Sequence, residues 1–88
     1  MTLRLYEITS LKDKRSILKK IMERMKNKFN ASIAEVGSND ILNMAEIGFS
    51  VTGNDRSFVN SVIDKMVNFI ENLYLADIVD AETELISL

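Results

Sequence analysis

From Thr2 to Ile8 apolar and polar residues alternate, with Leu3 and Leu5 on one side and Arg4 and Tyr6 on the other. A two-residue period of this kind is a half-buried β-strand. The period then lengthens. Leu18, Ile21, Met22, Met25 and Phe29 recur at three- and four-residue spacing, the buried stripe of an amphipathic helix. Ser10 stands where an N-cap belongs, Asp13 has the capping-box spacing behind it, and the helix is expected to close near Lys28. Residues 31–36 are β-like again, and Gly37-Ser38-Asn39-Asp40 gathers turn formers. A further strand from Leu42 to Thr52 sets Ala45, Ile47, Phe49 and Val51 against Met44, Glu46, Gly48 and Ser50. Gly53-Asn54-Asp55 leads into a second helix from Arg56 to Leu73, striped by Val59, Val62, Ile63, Met66, Phe69, Ile70 and Leu73. Residues 77–87 alternate once more, Val79, Ala81, Thr83 and Leu85 against Asp80, Glu82 and Glu84, as an acidic edge strand does.

The order is β-α-β-β-α-β over a single domain, residues 1–88. Right-handed crossovers then give an α+β, ferredoxin-like sandwich, with a four-stranded antiparallel sheet in order 4-1-3-2 and both helices on one face. In the strand at 31–36 two registers are open. Either Ser32, Ala34 and Val36 point inward, or Ala31 and Ile33 do. The first is favoured because it leaves Glu35 in water.

Charge changes this picture more than composition does. The net charge is only −2, yet residues 10–29 hold eight of the eleven basic residues against Asp13 and Glu23. Residues 64–88 hold Lys65 against Asp64, Glu71, Asp77, Asp80, Glu82 and Glu84. A chain so polarised has to be read locally. On the first helix, Lys12, Arg15, Lys19 and Lys26 line one side of the apolar stripe; Lys20, Arg24 and Lys28 line the other. Lys12, Lys14 and Arg15 fall in the first turn, where the helix dipole disfavours cations. A bound anion would relieve that conflict, and free N–H groups beside Lys and Arg make a phosphate site. The expected nucleic-acid surface is therefore Lys12, Lys14, Arg15, Lys19, Lys20, Arg24 and Lys26. The ordinary alternative is a solvated helix face whose basic stems cover apolar neighbours.

A second surface is the uncovered sheet face. Tyr6, Ile33, Leu42 and Met44 are expected there, suited to a homodimer or a protein partner, and edge pairing through the second or fourth strand is equally consistent with the sequence. Base stacking on this face is disfavoured, because Tyr6 is its one aromatic and Glu35, Glu46, Glu82 and Glu84 surround it. The chain has no Cys and no His. Disulfides, thiol nucleophiles, imidazole catalysis and Cys/His metal sites are thereby excluded. Asp13, Asp40, Asp55 and Asp77 all sit at caps or turns, so no catalytic residue, metal ligand or cofactor is expected. No apolar run approaches the ~18–20 residues that cross a bilayer, and Arg4, Glu7 and Lys12 interrupt any leader-like pattern. A cytoplasmic protein with no membrane contact is the expectation.

Ser10-Leu11-Lys12-x-Lys14-Arg15, Phe29-Asn30, and Ala34-Glu35-Val36 followed by Asp40 and Ala45 resemble the YlxP-like family of small, uncharacterised bacterial proteins. The likeness extends over nearly the whole chain. It implies a ferredoxin-like fold and, since such proteins are encoded beside translation factors, a link with ribosomal RNA or a ribosomal subunit. Leu42 and Met44 stand where the family has Trp and Arg, and the loop from Ile8 to Ser10 is shorter than usual. The carry-over therefore rests most on Lys12, Lys14 and Arg15.

Overall fold

The computed structural model describes residues 1–38 and 41–86. It contains β1 (Thr2–Leu5), α1 (Leu11–Lys28), β2 (Ser32–Gly37), β3 (Met44–Ser50), α2 (Arg56–Glu71) and β4 (Ala76–Asp80). The strands form one antiparallel sheet in the order β2-β3-β1-β4, as the element order predicted. Both helices cover one face, and the other is open. The architecture is a ferredoxin-like α+β sandwich.

Its core lies between the layers. Leu3 and Leu5 of β1, Ala45 and Ile47 of β3, Ile33 of β2 and Ala76 of β4 meet Leu18, Ile21 and Met25 of α1 and Met66 and Ile70 of α2. These residues are the two-residue and 3.6-residue stripes of the sequence brought face to face. At the far end of the helices Phe29 meets Phe69 edge-on, with centroids 5.6 Å apart, a favoured aromatic geometry. Ser10 caps α1 through its Oγ, which accepts from the Asp13 backbone N–H at 3.1 Å. Asp13 turns back to accept the Thr9 hydroxyl at 2.5 Å. Asp55 caps α2 by accepting from the Ser57 backbone N–H at 2.8 Å.

Four expectations about the elements need correction. In β2 the favoured register is reversed: Ile33 is 7% exposed and in the core, while Val36 is 66% exposed. The argument from Glu35 failed because its carboxylate does not need water; Arg15 reaches it from α1. Branched Ile33 has more apolar area to bury than Ser32 or Ala34, and with Glu35 paired that term decides the register. Secondly, β4 ends at Asp80 rather than near residue 87, and Val79 is exposed rather than inward. Asp80 pairs with Thr2, where β1 begins, so residues 81–86 have no ladder to join, and residue 87 lies outside the described residues. Thirdly, α2 stops at Glu71, two residues early, and Tyr74 adopts the left-handed conformation (φ 55°) that turns the chain into β4.

Fourthly, the hairpin between β2 and β3 is shorter in strand than expected, because β3 starts at Met44 and not Leu42. Ser38 takes a left-handed backbone at φ 59°, and its carbonyl accepts from the Ile41 N–H at 3.2 Å. Asn39 and Asp40, expected in this turn, lie outside the described residues.

Candidate nucleic-acid interface

The apolar stripe of α1 fixes where its cations go. Each residue advances about 100° around the axis, so burying Leu18, Ile21 and Met25 pushes Lys12, Lys19 and Lys26 to the flank nearest β2. Lys20, Arg24 and Lys28 go to the flank nearest α2. Lys12, Lys19, Lys20, Arg24 and Lys26 are all exposed. Among the described residues none of these five has a carboxylate partner. Lys28 sits with its Nζ 5.0 Å from the Phe69 ring centroid, a cation–π contact between the helices.

The first turn is different. Lys14 is 0% exposed, the one charged side chain among the buried described residues. Its ammonium donates to the carbonyl of Ser38 at 2.6 Å and to that of Ile41 at 2.5 Å. Lys14 therefore ties α1 to the β2–β3 hairpin and does not face a solvent-borne phosphate. Arg15 donates in a fork to Glu35, Nη1 to Oε1 at 2.5 Å and Nη2 to Oε2 at 3.2 Å. The Glu35 hydrogen bond raises the guanidinium's pKa further above its already high ordinary value. The Glu35 side chain is only 16% exposed, so the pair bridges α1 to β2. Asp13 occupies the helix start, and its pKa is lowered by hydrogen bonds from the Thr9 side chain and backbone and from Ser10.

Two of the three cations that break the dipole rule, Lys14 and Arg15, thus find their compensation inside the protein, while Lys12 stays exposed. Two hairpin carbonyls hold one, and a strand carboxylate holds the other. An anion site at the helix start, as the sequence suggested, is not assembled. The open cationic surface is the outer face of α1, from Lys12 to Lys26.

The open sheet face divides into two halves. On the β1–β4 side, Tyr6 donates its hydroxyl to Asp77, and Arg4 Nη2 donates to the other Asp77 oxygen at 3.0 Å. The Asp77 pKa is lowered by these bonds, Tyr6 first and Arg4 second, and the Tyr6 phenol is raised in turn by its bond to Asp77. On the β2–β3 side, Met44 is half-buried opposite Arg4, and Leu42 is exposed before the strand begins. Ile33 is absent from this face because it lies in the core. Ala34 and Val36 take its place, and Val36 Cγ1 leans over Gly48 closely enough to leave no room for a side chain there. Only the disfavoured register of β2 would have named those two.

Among the described residues no group of His, Cys, Asp or Glu is disposed to hold a metal ion. Nor, among those residues, is any helix long and apolar enough to cross a membrane.

The chain is thus a small ferredoxin-like domain with a cationic helix face and an uncovered sheet. It belongs to the family described as protein of unknown function DUF503, whose profile matches residues 1–83. It is similar to the uncharacterized protein YlxP of Bacillus subtilis (strain 168), with 34% identity over 68 residues, 77% of this chain and 74% of that protein.

Proposed function

We propose that the domain is a non-enzymatic accessory module that docks on structured RNA, ribosomal in the first instance, through the outer face of α1. The observation that supports this reading is the set Lys12, Lys19, Lys20, Arg24 and Lys26, all exposed and without a carboxylate partner among the described residues. An ordinary solvated helix pairs many of its cations at i,i+4, which neutralises them locally. Here Glu23 is the only carboxylate on α1 beyond its first turn. Lys12, Lys19 and Lys26 recur every two turns, about 10 Å apart along the axis, and span about 20 Å. A rigid row of that length suits phosphates on a folded backbone, and contacts of this kind position RNA without reading its sequence.

Lys14 and Arg15 act through structure in this reading. Lys14 anchors the hairpin and Arg15 anchors β2, which together hold the helix that presents the row. The alternative, a protein-docking module built on the open sheet, has lost Ile33 but gains Ala34 and Val36, which stands against Gly48.

The test is co-sedimentation with ribosomal subunits. The chain is expected to pellet with them at low salt and to leave them at high salt. The Lys12→Glu/Lys19→Glu/Lys26→Glu variant is expected to stay in the supernatant throughout. Pelleting of that variant as efficient as the native chain's would overturn the reading.

A further inference from the structure

The alternation that builds β4 does not end where β4 ends. Ala81-Glu82-Thr83-Glu84-Leu85-Ile86 continues the two-residue period, yet all six residues are exposed and none is in a ladder. They stop pairing because β1, their neighbour, begins at the partner of Asp80. At the opposite edge of the sheet β2 pairs, among the described residues, only with β3. Its outer edge has no partner strand among those residues, and the strand carries no Lys or Pro, its one irregularity being the register shift between Glu35 and Gly37.

The two edges are complementary in charge. Glu82 and Glu84 are the acidic residues of the unpaired segment, and α1 hangs Arg15, Lys19 and Lys26 on the flank above β2. Arg15 already reaches down to Glu35 of that strand. The faces also match. With Glu82 and Glu84 on the helix side, Thr83 and Leu85 fall on the open side beside Ala34 and Val36, which are exposed there.

We propose that residues 81–86 of one copy add as a fifth strand along β2 of a second copy. The same chain cannot satisfy its own edge. Three inter-strand steps of ~4.8 Å, about 14 Å, separate β4 from β2. Six extended residues reach about 20 Å, so crossing the sheet would leave almost nothing to pair. Between copies the restriction vanishes. Reciprocal exchange about a two-fold axis closes a dimer, and one-way exchange makes an open chain. Main-chain hydrogen bonds supply the affinity and the alternate side chains the fit, as in other strand additions.

The proposal is tested without nucleic acid, so its failure leaves the RNA reading intact. Sedimentation equilibrium of the full chain is expected to give a mass that climbs with concentration from the monomer's towards twice that value. A chain ending at Asp80 is expected to stay monomeric with unchanged far-UV circular dichroism. A nitroxide on Leu85→Cys, mixed with an isotope-labelled native chain, is expected to broaden the amides of Ile33 to Val36 in the other copy. This arm does not depend on the truncated chain folding. A full chain monomeric at every concentration overturns the proposal. So does self-association that survives the truncation, or broadening confined to Arg4, Tyr6 and Met44, which would assign the contact to the open sheet.

Discussion

Replacing Lys12, Lys19 and Lys26 together by Gln removes one row of α1 and leaves its core stripe untouched. All three are exposed and unpaired among the described residues, so the fold should be unaffected. Surface changes of this sort fall within about 0.5 kcal/mol. The effect on RNA binding follows from counterion release. Each neutralised phosphate contributes about −0.9 to the slope of log affinity against log salt on a duplex. Five exposed cations set an upper slope of about −4.5, and the variant keeps two, giving about −1.8. Raising salt about fourfold should then weaken the native chain roughly 500-fold and the variant roughly 12-fold. The assay is a fluorescence-anisotropy titration of a structured RNA fragment at four or more salt concentrations, with melting curves as the control. A variant slope equal to the native one would refute the assignment of the surface to this row.

Other expectations separate the structural cations and the polar sheet network from that surface. Lys14→Met leaves two hairpin carbonyls without their donor and should cost about 2–3 kcal/mol. That is a fall of about 10–20 °C in the melting midpoint of a domain this size, with the RNA salt slope unchanged. An unchanged midpoint would contradict the buried role of Lys14. Ile33→Ala should cost about 2–4 kcal/mol while Val36→Ala stays near neutral in urea unfolding; the reverse order would restore the other β2 register. In tyrosine absorbance titrations, Tyr6 should ionise above the ordinary value near 10 and return to it in Asp77→Asn. The Tyr6 shift is upward on folding, so its contribution to stability is present below pH 10 and fades as pH rises through the folded value. Asp77 is shifted downward, so its contribution is present above its unfolded value of 3.8 and fades as pH falls through the lower folded one. Asp77→Asn should therefore flatten both the acid and the alkaline limbs of a melting-temperature profile.

The fold was legible because its two periods are clean. Leu3 and Leu5, Ala45 and Ile47, and the stripes of both helices name the layers without reference to any contact. The caps at Ser10 and Asp55 were equally readable, since the residue that bonds the helix start is its immediate neighbour in the chain. What escaped depends on partners far apart in sequence. Glu35 seemed to demand water until Arg15, twenty residues earlier, proved to lie above it, and the register of β2 turned on that pair. Lys14 read as a candidate ligand for an anion because the carbonyls of Ser38 and Ile41 that hold it leave no mark in a sequence. The end of β4 depends on where β1 begins, so a pattern that runs past Asp80 could not announce its own limit. The first two cases moved a residue from surface to framework, so Lys14 and Arg15 leave the candidate site, which keeps Lys12 and runs along the outer flank of α1.

The most direct measurement of that placement is an amide chemical-shift map of the isotope-labelled chain titrated with a structured ribosomal RNA fragment at low salt. The predicted result is a set of perturbations along Lys12, Lys19, Lys20, Arg24 and Lys26, reversed by added salt, with β1 and β3 silent on the open face. Perturbations centred instead on Arg4, Tyr6 and Met44, with the outer face of α1 unmoved, would contradict it.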